Sequence, residues 1–189
     1  MGQGLQDFYQ QAQKRGFSRD FQFRVVQIGG SKLKDEDLVL IKTTSLPGRD
    51  MQIQQVIFMG VTFNIPGSPI FTGSDNWEVT FHATQDFLIR DEFEKLQSDI
   101  FDMQKVGAMG KGGVGNLSLP GVDRTIQLDL IDDKLNTIRS YFLIGCFIRK
   151  VSEINYDLQG TGKPVDFSAG LSYQYWTTSP EGISTVNNK

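Results

Sequence analysis

The stretch with the most chemical promise is "MGKGGVGN", residues 109–116. Lys-Gly-Gly-Val-Gly is the front half of a variant phosphate-binding loop, in which glycine amides cradle phosphate oxygens. Such a loop needs a strand leading in and a helix leading out, so that the first helical amides face the anion. It also needs a lysine after the last glycine, then a Ser or Thr to hold Mg²⁺. Here a helical pattern leads in, Asn116 and Leu117 occupy the two key positions, and Pro120-Gly121 stops any helix from following. Three independent requirements fail, so nucleotide binding is not expected. The glycine run reads instead as a pliable connection, or one that fits a narrow gap.

The remaining reactive groups fare no better. His82 is the only histidine and Cys146 the only cysteine, and they lie in separate strand-like stretches. They read as strand residues, and a metal set would want a second Cys or His nearby. Asp35-Glu36-Asp37 lacks the ligand spacing of a calcium loop and reads as a solvated turn. Asp132-Asp133 also sits at a turn, and neither a Gly-x-Ser-x-Gly elbow nor a His-Glu-x-x-His pair occurs. No catalytic, metal-binding or cofactor-binding residue is expected, so the chain reads as non-enzymatic.

Composition narrows the classes further. At 189 residues the chain suits one domain with extensions, large enough to bury a core without a disulfide or metal. A lone cysteine forms no internal disulfide, which points to a reducing compartment. The net charge of −3 is spread through mixed runs such as "RDEFEKL", without the basic stripe of a nucleic-acid binder. No run reaches the roughly 18 apolar residues of a membrane span, and the polar start "MGQGLQ" is not a secretory signal. No membrane partner is expected.

The elements follow from periodicity. Residues 4–15 predict a short helix with Leu5, Phe8, Tyr9 and Ala12 on one face and Gly16 as its stop. Residues 87–104 predict the main helix, with Ile89, Phe93, Leu96, Ile100 and Met103 as one stripe and Asp86 as N-cap. Strands are predicted at 21–28, 38–45, 51–65, 76–83, 123–132, 138–151 and 165–176. The pattern slips at Gln54-Gln55 and Gly60 read as bulges in one long strand, "PGSPIFTGSD" reads as loop, and 138–151 reads as a strand buried on both faces. Strands that do not alternate regularly with helices argue against a doubly wound sheet. The expected class is mainly β: an antiparallel sandwich or barrel with a flanking α-helix and a short N-terminal helix. Its expected parts are a helical arm (1–19), a β domain (20–176) and a polar tail (177–189).

Four phrases in order carry a resemblance: "LIKTTSLPG" (40–48), "GSDNWEVTFHA" (73–83), "RDEFEKLQ" (90–97) and the stretch 141–176 closing on "YQYW". Together they span most of residues 20–176, and their order and spacing resemble the tail tube protein of contractile-tailed bacteriophages. The resemblance implies a structural virion protein whose homo-hexameric rings stack into a hollow tube inside the tail sheath protein. It also implies a baseplate hub and a tape-measure protein as partners, assembly in the host bacterial cytoplasm, and DNA passing through the lumen without specific binding. A tube-initiating baseplate protein of the same fold is the alternative. Two segments are expected at subunit contacts: the turn Leu46, Pro47, Gly48, Arg49 and Asp50, and the glycine loop through Gly110, Lys111, Gly112 and Gly113.

Overall fold

The computed structural model describes residues 4–100, 120–121, 123–160 and 162–179. Two four-stranded antiparallel sheets form the body. The first runs β1 (Phe23–Ile28), β6 (Ile126–Ile131), β7 (Thr137–Ile144) and β10 (Tyr175–Thr177). The second runs β2 (Ile41–Thr43), β5 (Trp77–His82), β9 (Asp166–Ser172) and β8 (Phe147–Val151). A separate two-stranded ribbon pairs β3 (Asp50–Phe58) with β4 (Val61–Ile70). Three helices complete the described elements: α1 (Leu5–Arg15), α2 (Asp35–Leu38) and α3 (Leu88–Ile100). The class is therefore mainly β with antiparallel sheets and a flanking helix, as the periodicity predicts, and the sheets do not close into a barrel.

The alternation of β5 reads directly as burial: Trp77, Val79 and Phe81 are buried, while Glu78 and His82 are exposed. They join Val25, Ile126, Leu128, Leu143, Phe167 and Leu171 in one contiguous core. Phe81 lies at its centre, stacked on Phe167 of β9 at 5.4 Å between ring centroids and tilted against Phe93 of α3 at 5.3 Å. Three residues of the α3 stripe, Ile89, Phe93 and Leu96, are buried as expected; Met103 lies outside the described residues. The N-cap position falls to Phe87, whose carbonyl accepts from the Asp91 amide, while Asp86, one residue earlier, accepts from the Leu88 amide at 3.4 Å. The helix also covers the outer edge of β8, where Arg90 and Gln97 donate to the carbonyls of Ser152 and Arg149. An edge whose carbonyls are occupied in this way is a poor template for stray pairing.

Several sequence boundaries are corrected. The stretch 138–151 is two strands. Gly145, at φ 68°, turns the chain out of the first sheet, and a Cβ there would sit 2.8 Å from Gln174 Cγ. The returning chain makes the same crossing from β9 to β10, with Gln174 donating to the Ile144 carbonyl. One ribbon, β7–β8 against β9–β10, thus belongs to both sheets and joins them. Leu38 ends α2 and is buried; β2 starts only at Ile41. Phe21 is exposed beneath Arg19 because it lies in the turn before β1, which starts only at Phe23.

One charged group is built into the body. Asp129 of β6 is buried and accepts from Gln127, Thr137 and Arg24 at 3.0, 3.0 and 3.4 Å. Burial alone would raise its carboxyl. The hydrogen bonds of Gln127, Ser140, Thr137 and Arg24 outweigh that and hold it below the usual range.

Candidate functional site

The largest correction concerns residues 51–70. They are neither one bulged strand nor a strand plus loop, but a hairpin that projects from the body. Its turn is Met59-Gly60, both at positive φ (50° and 78°), the handedness a tight two-residue hairpin turn requires. Glycine adopts this freely, while Met59 there costs about 1 kcal/mol. The register runs Phe58↔Val61, Val56↔Phe63, Gln54↔Ile65 on one face and Ile57↔Thr62, Gln55↔Asn64, Ile53↔Pro66 on the other. The irregularity in the ladder lies between Met51 and Ile53, not at Gln54-Gln55.

Every residue of β3 is exposed, and in β4 only Gly67 is even partly covered. Ten large apolar side chains lie along the ribbon, among them Ile57 at 73% and Met59 at 88% exposure. Monomers seldom leave apolar patches beyond a few hundred Å² open, and those that do mark sites of interaction. Beyond Asp50 at its base, the ribbon is also free of charge. No Asp, Glu, Lys, Arg or His occurs from Met51 to Ser74, in a chain that is 22% charged. Both outer edges carry backbone groups without a ladder partner among the described strands.

An isolated two-stranded ribbon is marginal in water, so its base must hold it. Phe71, just past β4, lies 6.4 Å from the Trp176 ring and 6.5 Å from that of Tyr175. Tyr141 meets Trp176 edge-on at 5.4 Å. The Leu46–Asp50 turn closes this cluster. Trp176 donates from its indole to the Gly48 carbonyl at 2.9 Å, Arg49 lies 5.3 Å over the same ring, and Asp50 accepts from Thr72 at 2.5 Å. Trp77 donates to the Ser45 carbonyl at 2.7 Å, and Pro47 is buried. The turn therefore anchors the ribbon within its own subunit, with Leu46 left half exposed. Gly110, Lys111, Gly112 and Gly113 lie outside the described residues.

A second uncovered surface is α1. None of its residues is buried, and Leu5, Phe8 and Tyr9 present the predicted apolar face to solvent. Phe17 lies against it, 6.2 Å from Phe8 between ring centroids.

The residues with conventional reactivity form no site. His82 pairs with Asp166 at 2.7 Å, and Lys42 reaches the same carboxylate at 2.5 Å. These bonds, Lys42's first, lower the Asp166 carboxyl. All three stand on the exposed face of the second sheet as a cross-strand charge cluster. Cys146 sits at the sheet crossing, where burial pushes its thiol up to about 12 and leaves it unreactive. Among the described residues, no group of three or more His, Cys, Asp or Glu side chains could hold a metal, and no helix is long and apolar enough to cross a membrane.

No protein-family pattern and no curated protein sequence matches the chain. Solved structures do match its fold. A chain of the anti-feeding prophage cap, which terminates that particle's tube, superposes with a TM-score of 0.58 at 11% identity, covering 86% of this chain and 91% of that one. A chain of the sheath/tube terminator of PVC, an extracellular contractile injection system, gives 0.55 at 12% identity, covering 84% and 94%. A chain of the anti-feeding prophage baseplate gives 0.50 at 8% identity, covering 72% and 78%. The fold is thus one found in components of contractile injection particles.

Proposed function

We propose that this chain is a structural subunit of the inner tube of a contractile tail, assembling as hexameric rings that stack within a sheath. The carrying observation is the hairpin, uncharged beyond Asp50, exposed along its length yet fixed at its base by the Phe71–Tyr141–Tyr175–Trp176 cluster. A rigid arm of this kind has a geometry ready for a partner and no packing role inside its own subunit. Its two free edges suit head-to-tail pairing, in which each ribbon sits between two copies. If the rotation closes, such a sheet becomes a barrel without edges. The shared fold with tube-terminating and baseplate components supports the same reading, as does the order of phrases resembling tail tube proteins.

On this reading the chain is not an enzyme. Its partners are copies of itself, the sheath, the baseplate hub and a tape-measure protein, and its place is the tail of a virion. Genome DNA passes through the lumen without specific binding. The turn Leu46–Asp50 and the loop containing Gly110, Lys111, Gly112 and Gly113 lie at subunit contacts. For Arg49 this role is added to its stacking on Trp176.

The test is negative-stain electron microscopy of the concentrated, purified chain. Stacked rings or tubes with a central channel are expected. A particle that stays monomeric at high concentration overturns the proposal. Single rings that never stack would favour the tube-initiating baseplate role, which the likeness to a baseplate chain also supports.

A further inference from the structure

The two faces of the β3–β4 ribbon differ in chemistry. Over the regular part of the ladder, one carries Gln54, Val56, Phe58, Val61, Phe63 and Ile65: five apolar groups and one amide. The other carries Ile53, Gln55, Ile57, Thr62, Asn64 and Pro66, of which three are uncharged hydrogen-bonding groups. In a ribbon that is part of a closed wall, one face turns to packed protein and the other to water.

Resting on the tube reading above, we infer that the Val56–Phe58–Val61–Phe63–Ile65 face is buried against second copies of this chain, and that the Gln55–Thr62–Asn64 face lines the passage. Three observations carry the assignment. The apolar face adds nothing to the core formed by the described residues, and none of them covers it. The five apolar side chains of that face are each 46–61% exposed, a continuous uncovered stripe of the kind that marks a site of interaction. The two unpaired edges belong to one ribbon, so a neighbour bearing the same ribbon supplies a β3 edge for each β4 edge, in an antiparallel arrangement that repeats. A ring of such copies satisfies both edges of every ribbon with a single repeated pairing.

The absence of charge then has a use. Fixed cations on a channel wall would hold a polyanion through counterion release, and every such contact adds affinity. Amides and a hydroxyl stay hydrated without binding phosphate strongly. The wall made by Gln55, Thr62 and Asn64 lets a charged polymer slide past, with little dependence on salt.

Thiol mapping of assembled tubes tests the faces, because Cys146 is buried and the wild-type chain is a silent background. Asn64→Cys and Gln55→Cys should react with a maleimide-linked gold cluster equally in dissociated subunits and in tubes, with gold density on the tube axis. Val56→Cys and Val61→Cys should react in subunits and be protected at least tenfold in tubes. The two variants per face guard against one that fails to assemble. Reversed protection in intact tubes, or gold on the outer wall, overturns the face assignment while leaving the tube reading standing. A wild-type chain that never assembles removes the tube reading, and this inference with it. Asn64→Arg gives an independent readout: tubes should still form but retain a single-stranded oligonucleotide at low salt and release it at high salt. Tubes that exclude the oligonucleotide at every salt concentration would also overturn the assignment.

Discussion

The β5–β9 pair and the β3–β4 pair are built from the same kinds of residue and meet opposite fates. Val79 and Phe81 of β5 are fully buried, whereas Val56 and Phe58 of β3 are about half exposed. The difference lies in what stands on each face. β5 alternates, so one side of the strand enters the core and the other holds Glu78, Thr80 and His82. Beyond Asp50 the ribbon has no charged residue, and no described element packs on it. The body is stabilised by its own burial. The ribbon is held by its base and stays uncovered along its length. On the proposed reading, apolar surface serves folding in one region and association in the other.

The sharpest way to break this comparison is to mutate one residue of each region. Phe93→Ala should lower the stability of the isolated subunit by about 3–5 kcal/mol, read by denaturant or thermal unfolding. Phe63→Asp should shift it by no more than about 0.5 kcal/mol and yet abolish tubes in electron micrographs. A large stability loss from Phe63→Asp would mean that the ribbon packs on its own body in solution.

The buried carboxylate comes next. Asp129→Ala should cost about 1.5–3 kcal/mol, since it strands donors that now bond a charged group. The pH signature has a defined sign. The folded carboxyl titrates below its ordinary value of 3.8, so its contribution is complete above that value and is lost as pH falls through the folded pKa. Acid titration of subunit stability should show a steeper loss in the wild type than in Asp129→Asn.

Smaller effects probe the ribbon's footing. Arg49→Ala removes the cation over Trp176 and should cost about 0.5–1 kcal/mol in the subunit. Tube assembly should suffer more than that figure, because the arm loses its fixed direction; assembly yield measured beside unfolding separates the two effects. Removing residues 1–15 should leave subunit stability within about 0.5 kcal/mol of wild type, since no α1 residue is buried.

Much of the body was legible because alternation and helical stripes report burial. Ile89, Phe93 and Leu96 fall on the predicted apolar stripe and all three are buried, and the strand predicted at 76–83 buries Trp77, Val79 and Phe81 in alternation. The hairpin was not legible for a specific reason. Its turn is Met59-Gly60, flanked by Phe58 and Val61, so no polar turn residue interrupts the apolar run, and a hairpin reads as one slipped strand. Pro66 and Pro69, which read as loop, sit within β4 beside solvent, where a missing amide costs little. The crossing at Gly145-Cys146 was hidden likewise, because both flanking strands are apolar where they meet. The Leu46–Asp50 turn was singled out for its Leu-Pro-Gly signal, but its anchoring to Trp176 spans 128 positions, which no local pattern reports.

The sequence by itself determined the β-rich class, the two amphipathic helices, the lack of any metal or phosphate motif, and most of the core face, because each of these is a local periodicity or a local spacing. Only the tertiary structure decided which apolar strands are covered and which stand free. That choice depends on where distant elements pack, and the ribbon is left open because no described element reaches it.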